Sequence, residues 1–270
     1  MQRKVRVALF ISSDDGHAIL HRFLTSPLKE VAHVVGVATD DPRTGFVGAH
    51  RRFWRYGYSK EERLLVRNRA EKAGIPVWDG RIKDKMAANG TARERTPFPA
   101  IFRELWQPDV AYMSSFGQLI PQSLIDVPSY GFFNVHPTSL EDLSQWPRFG
   151  GPSPYEDMRA EGIEFVTLAL HRITARFDEG RIECMSSRVP LHPGTARKSP
   201  ENRRMLAVLT QFTGWIAAYH FETEILPRHR TRKDSAQLAL PTAPYNPQIR
   251  GTNHTTITTT RSVRGKPRRA

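Results

Sequence analysis

Short runs of β-branched and aromatic residues recur along the first half of this chain, at intervals that leave room for a helix between them. Lys4–Ile11, Val31–Thr39, Ile75–Trp78, Asp109–Ser114 and Gly131–His136 each read as a strand, because apolar or alternating runs of this length suit a buried pleated surface. Gly16–Leu24, Lys60–Ala73, Ala100–Trp106 and Pro121–Ile125 carry helical spacing between them, with stops at Gly74 and Pro108. Strands separated by helices pair in parallel through crossovers. The pattern predicts an α/β domain with a Rossmann-like, mostly parallel twisted sheet.

Further along, Phe165–Ile173 and Arg181–Leu191 read as two more strands, placed as antiparallel neighbours. Glu201–Leu226 is a long helical stretch with apolar residues at Leu206, Leu209, Phe212, Ile216, Tyr219 and Ile225. After Pro227 the pattern dissolves into Thr-, Pro- and Arg-rich sequence. These features divide the chain into an α/β domain, 1–227, and a basic tail, 228–270.

Charge bears on partners. The formal charge is +13, but Arg228–Ala270 holds ten Arg or Lys and one acid, Asp234, so the other 227 residues carry only +4. Basicity concentrated in a tail is a weak sign of a nucleic-acid-binding domain. No apolar run approaches the ~20 residues of a membrane span. The basic start followed by Val7–Ile11 is too short for an export signal and meets Asp14-Asp15 at once. The single cysteine, Cys184, has no internal disulfide partner, which suits a reducing compartment. The expected location is the cytoplasm.

The loop after the first strand, Ser12-Ser13-Asp14-Asp15-Gly16-His17, lacks G-x-G-x-x-G and sets two acids where a pyrophosphate would sit. That argues against NAD or FAD. Walker A, H-E-x-x-H and paired C-x-x-C motifs are absent as well.

Chemistry-bearing residues gather in Asp109–Ile182. Asn134 and His136 lie two apart in Gly131–Pro137, so on a strand they share a face at its carboxyl end, where open α/β sheets hold their ligands. An amide supplies a donor for a developing oxyanion, and an imidazole moves a proton. The plainer alternative is that Asn-x-His-Pro ends a strand and caps a turn. Asp178 lies in a loop bounded by Gly180, between two strands. Folded back to the crevice, its carboxylate would orient His136 and raise that residue's pKa. His136, His171 and Asp178 as metal ligands are the less favoured reading.

Taken together, Pro108–Pro121, Gly131–Leu140, Gly150-Gly151-Pro152, His171 and the Asp178-x-Gly180-x-Ile182 run resemble the 10-formyltetrahydrofolate transformylases. That family includes methionyl-tRNA formyltransferase, glycinamide ribonucleotide transformylase and the sugar N-formyltransferases. The resemblance implies that Asn134, His136 and Asp178 surround the formyl carbon of 10-formyltetrahydrofolate, with no metal. It implies a pterin pocket made by Gly117, Gln118, Leu119 and Ile120 on one side and by Arg176 and Phe177 on the other. Ser12 and Ser13 match the place where some members grip an acceptor phosphate, and His171 takes a supporting place beside the site.

One segment departs from the family pattern. From Pro137 to Phe149 the chain reads PTSLEDLSQWPRF, and Gly150 lies 14 residues after His136, where the family has about nine. This loop would face the acceptor amine, and its Glu141, Asp142 and Trp146 are candidate acceptor contacts. Methionyl-tRNA formyltransferases carry a further C-terminal β-barrel, for which the sequence after Leu226 shows no strand pattern. The acceptor expected by elimination is a nucleotide-linked amino sugar. A siderophore hydroxyornithine, glycinamide ribonucleotide or methionyl-tRNA is the alternative acceptor, and a formyltetrahydrofolate hydrolase and an RNA-binding protein on a transferase-like fold are the other readings. A homodimer is compatible with the resemblance.

Overall fold

A computed structural model describes residues 3–40, 65–80, 82, 97–138, 154–176, 179–192 and 199–238. In chain order its elements are β1 (Val5–Ile11), α1 (Ser13–Thr25), α2 (Leu28–Val31), β2 (Ala32–Ala38), α3 (Leu65–Lys72) and β3 (Val77–Trp78). Next comes α4 (Phe98–Ala100), which runs into a π-helical turn, Ile101–Trp106. Then follow β4 (Val110–Ser114), α5 (Gln122–Ile125), β5 (Gly131–His136), α6 (Pro154–Ala160), β6 (Phe165–Val166), β7 (Ala169–Arg172), β8 (Ile182–Met185) and β9 (Val189–Pro190). Helix α7 (Pro200–His220) passes through a second π-helical turn, Phe221–Ile225, into α8 (Leu226–Leu238).

Seven strands form one sheet in the order β3-β2-β1-β4-β5-β7-β8. From β3 to β5 the pairing is parallel, and β7 and β8 add an antiparallel edge. The chain winds outward from β1 through β2 to β3, then returns to place β4 and β5 on the other side. The switch point therefore lies between β1 and β4.

Alternation along the central strands divides their side chains between two cores. Val5, Val7, Leu9 and Ile11 of β1, Val110 and Tyr112 of β4, and Phe133 and Val135 of β5 meet α1 and α7 on one face. Ala8, Phe10, Ala111, Met113 and Phe132 meet Phe98, Phe102 and Trp106 on the other. Burial on both faces explains why these strands read as continuous apolar runs. Two glycines set the spacing. A Cβ at Gly36 of β2 would stand 2.1 Å from the Trp106 ring, and one at Gly214 of α7 would stand 2.7 Å from the Ala18 carbonyl oxygen. Gly36 lets the indole lie on the sheet, and Gly214 lets α7 touch α1.

Two expected strands each prove to be two. Phe165–Ile173 divides into β6 and β7, and Arg181–Leu191 into β8 and β9; β6 and β9 form a ribbon of their own. The division falls where Leu168 N–H donates to the Ser186 hydroxyl at 2.9 Å and Ser186 N–H to the Leu168 carbonyl at 2.9 Å. Those bonds turn both segments together at one corner. The sequence after Pro227, expected to be patternless, instead continues as helix α8 across the 227/228 boundary. His229 anchors it, receiving the Tyr130 hydroxyl at 3.0 Å on Nδ1 and donating from Nε2 to the Arg3 carbonyl at 3.1 Å. A buried histidine that reaches two distant segments outweighs a low local propensity. Among the described residues no helix is long and apolar enough to cross a membrane.

Candidate active site

Asn134 and His136 stand at the carboxyl end of β5, on the face that also carries Phe132, and are only 7% and 5% exposed. Antiparallel β7 sets His171 directly opposite Asn134. The Asn134 amide nitrogen lies 3.1 Å from His171 Nε2, while His171 Nδ1 lies 3.1 Å from the carbonyl oxygen of Arg172. A backbone carbonyl only accepts, so Nδ1 carries the proton and Nε2 accepts from the amide. The pair fixes the plane of the Asn134 side chain. His136 is held from its own loop: Thr138 N–H donates to Nδ1 at 3.3 Å, and the Thr138 hydroxyl lies 3.0 Å away. Acceptance at Nδ1 puts the ring proton on Nε2, whereas a proton on Nδ1 would reach the Thr138 carbonyl at 3.2 Å. The rings of His136 and His171 are 6.3 Å apart, edge to face.

The switch point lies two strands away. Ser13 and Ser115 follow the carboxyl ends of β1 and β4, and both have left-handed backbone, φ 61° and 51°. Non-glycine residues there cost roughly 1 kcal/mol or more, so the surrounding structure must hold them. Part of that hold is Asp15, whose carboxylate accepts from the Ser115 hydroxyl at 3.3 Å and from Thr210 of α7 at 3.0 Å. Burial raises the pKa of Asp15 above the ordinary carboxylate range.

The family described as formyl transferase matches residues 56–206, more than half of the chain. The chain belongs to that family. Methionyl-tRNA formyltransferase of Dehalococcoides mccartyi is 30% identical over 87 residues, which are 32% of this chain and 26% of that protein. The same enzyme of Lachnospira eligens is 32% identical over 106 residues, 37% of this chain and 32% of that protein. The matched segment thus spans about a third or less of these relatives. Glycinamide ribonucleotide transformylase 1 of Geobacillus kaustophilus shares the fold, with a TM-score of 0.51 at 20% identity over 78% of this chain and 96% of that one. So does a formyltetrahydrofolate deformylase of Pseudomonas syringae, with a TM-score of 0.51 at 19% identity over 80% of this chain and 60% of that one.

In this formyl transferase fold the other sequence-predicted residues fall in different places. Gly117 and Gln118 sit on the loop after β4, beside the crevice, and both are tied to Asp40. Gly117 N–H and the Gln118 amide nitrogen each donate to the Asp40 carboxylate at 2.5 Å. The Gln118 amide oxygen accepts from Ile82 N–H at 2.8 Å. Leu119 is 47% exposed, while Ile120 is buried in the core beside Phe10 and Phe102. Arg176 is exposed and pairs with Glu179 at 3.3 Å. Phe177 and Asp178 lie outside the described residues, as do Glu141, Asp142 and Trp146. Ser12 is fully buried: its hydroxyl accepts from Asp40 N–H at 2.9 Å and lies 3.3 Å from the Thr39 hydroxyl. Ser13 is buried beside it.

The sequence reading missed Asp15, Asp40 and Ser115. Asp40 directly follows the β2 run, and Ser115 directly follows the β4 run. Position at the carboxyl end of a parallel strand was the available signal. Asp40 joins the loops after β1, β2 and β4, and Gln118 extends the join to Gly80 at 3.3 Å, after β3. Among the described residues no three His, Cys, Asp or Glu side chains gather as a metal site requires.

Proposed function

We propose that this protein transfers a formyl group from 10-formyltetrahydrofolate to a primary amine of a small acceptor. The observation that carries the reading is the Asn134–His171 hydrogen bond beside His136 at the carboxyl end of β5. It fixes an amide donor and an imidazole together at the end of the sheet where α/β proteins bind ligands. Family membership and the fold shared with formyl-transferring enzymes support it. A neutral amine attacks the formyl carbon on folate N10, and the carbonyl oxygen becomes an oxyanion. The Asn134 amide stabilises that oxygen. His136 either donates to the same oxygen or takes the amine's proton, and Asp178 sets its state. Collapse breaks the bond to N10 and leaves an N-formyl amide and tetrahydrofolate.

The acceptor in this reading is an amino sugar linked to a nucleotide. The lengthened segment from Pro137 to Phe149 supports it, since Glu141 and Asp142 suit an ammonium or sugar hydroxyls and repel a tRNA backbone. Incubating the protein with 10-formyltetrahydrofolate and a panel of amines, with product mass as readout, tests both levels. Formylation of the amino sugar nucleotides alone is the expected result. Formylated glycinamide ribonucleotide or methionyl-tRNA would keep the reaction and replace the acceptor. Formate released without any acceptor would favour hydrolysis, the second reading, which the fold shared with a deformylase supports.

A further inference from the structure

Helix α7 has an unusual solvent face. From Met205 to Phe221 it runs seventeen residues without a Lys, Arg, Asp or Glu. Its inner face, with Met205, Leu209, Ile216, Ala217 and His220, packs on the core. Val208, Trp215 and Tyr219 point away from it and are 43%, 56% and 48% exposed, with Phe212 half-buried between them. Spacings of four, three and four make these residues one continuous stripe. A helix packed by one face ordinarily turns charges to water on the other. Here the charges stand only at the ends, Glu201, Arg203 and Arg204 before the stripe and Glu222 and Glu224 after it.

We propose that this stripe is where two copies of the chain pair about a two-fold axis, α7 antiparallel to α7. A two-fold contact sets residue i against j and j against i. With the axis at the level of Thr213, Arg204 and Glu222 lie nine residues to either side, and both are exposed. Arg204 of each copy then meets Glu222 of the partner subunit. A parallel pairing would instead oppose Arg204 to Arg204. The same axis sets Trp215 against Gln211, Tyr219 against Ala207 and Val208 against Ala218, so that Tyr219 and Val208 each meet an alanine and the indole lies on the stem of a glutamine. Tryptophan and tyrosine anchors rimmed by charge are the usual make-up of a binding hot spot.

Sedimentation velocity of the full chain over a wide concentration range tests the pairing. The expected particle is a dimer. Trp215→Glu weakens its association by roughly thirtyfold or more and leaves the melting temperature unchanged at concentrations where both proteins are monomers, because Trp215 is largely exposed. Arg204→Glu or Glu222→Arg alone weakens association severalfold, and the two together restore it. The proposal is overturned by a monomer at every concentration, by a dimer indifferent to Trp215→Glu, or by a double charge swap without rescue. Dimerisation only after removal of residues 239–270 would also overturn it, since the tail would then be the occupant.

Discussion

The two ends of the central strands use the same kinds of polar residue to opposite effect. At the amino end, Asp109 accepts from the Arg3 guanidinium at 2.5 Å and from Arg6 N–H at 2.8 Å. Arg6 in turn covers the carbonyls of Leu105, Trp106 and Gln107, where the π-helical turn stops. His229 closes the adjoining gap between Tyr130 and Arg3. The Arg6 contacts satisfy carbonyls that the helix end leaves without partners, and the others tie strand starts to neighbouring segments. At the carboxyl end, two serines are held in left-handed backbone, a carboxyl is buried, and an amide and two imidazoles are brought together. One end is built for closure and the other holds strain and desolvated polar groups, as sites of chemistry do. Changes at the first should therefore move stability, and changes at the second should move turnover.

The largest effect expected is on turnover. Asn134→Ala and His136→Ala should each slow the proposed formyl transfer by about a hundredfold to a thousandfold, the usual effect of losing an oxyanion donor or proton-transfer group, and Asp178→Ala should behave alike under the same proposal. Initial rates and melting temperatures measured together decide it; equal losses in both would place these residues among the framework. His220 should dominate the acid limb of stability. It sits between the sheet and α7, accepts the Tyr112 hydroxyl at 2.9 Å, and burial pushes its pKa down to about 4. Its folded value lies below the unfolded one, near 6.5, so the unfolded chain binds the extra proton. Stability present above pH 6.5 is then lost as pH falls toward 4, by on the order of 3 kcal/mol. In His220→Gln that slope should flatten in urea melts taken across this range.

Asp109→Ala should come next, costing about 2 kcal/mol because it strands a charge-assisted network at the closed end, with kcat unchanged. A fall in kcat there would erase the contrast between the ends. The smallest effect is that of Ser115→Gly, which relieves left-handed backbone and removes the bond to Asp15. A net gain of about 0.5 kcal/mol or less is expected in chemical denaturation, and a clear loss would mean that the Asp15 bond outweighs the strain.

Much of this molecule was legible before folding, because its central strands are buried on both faces. β1, β2, β4 and β5 appear as dense apolar runs, and Asn134 and His136 share a face simply because they are two apart on a strand. The parallel α/β sheet follows from the spacing of those runs. Phe165–Ile173 gave a different outcome: its apolar content suits a strand, yet only pairing with Ser186 shows that it bends into two sheets.

The sequence by itself determined the strand runs, the sheet class and the position of Asn134 and His136 on one face. Tertiary structure decided what each polar side chain meets. His171 reaches Asn134 from 37 residues away, Asp40 reaches Gln118 from 78, and Thr210 reaches Asp15 from 195. Periodicity reports whether a residue faces in or out, since that depends on neighbours a few positions along the chain. A hydrogen-bond partner depends on which strands lie side by side and in what register, and no local pattern carries that information.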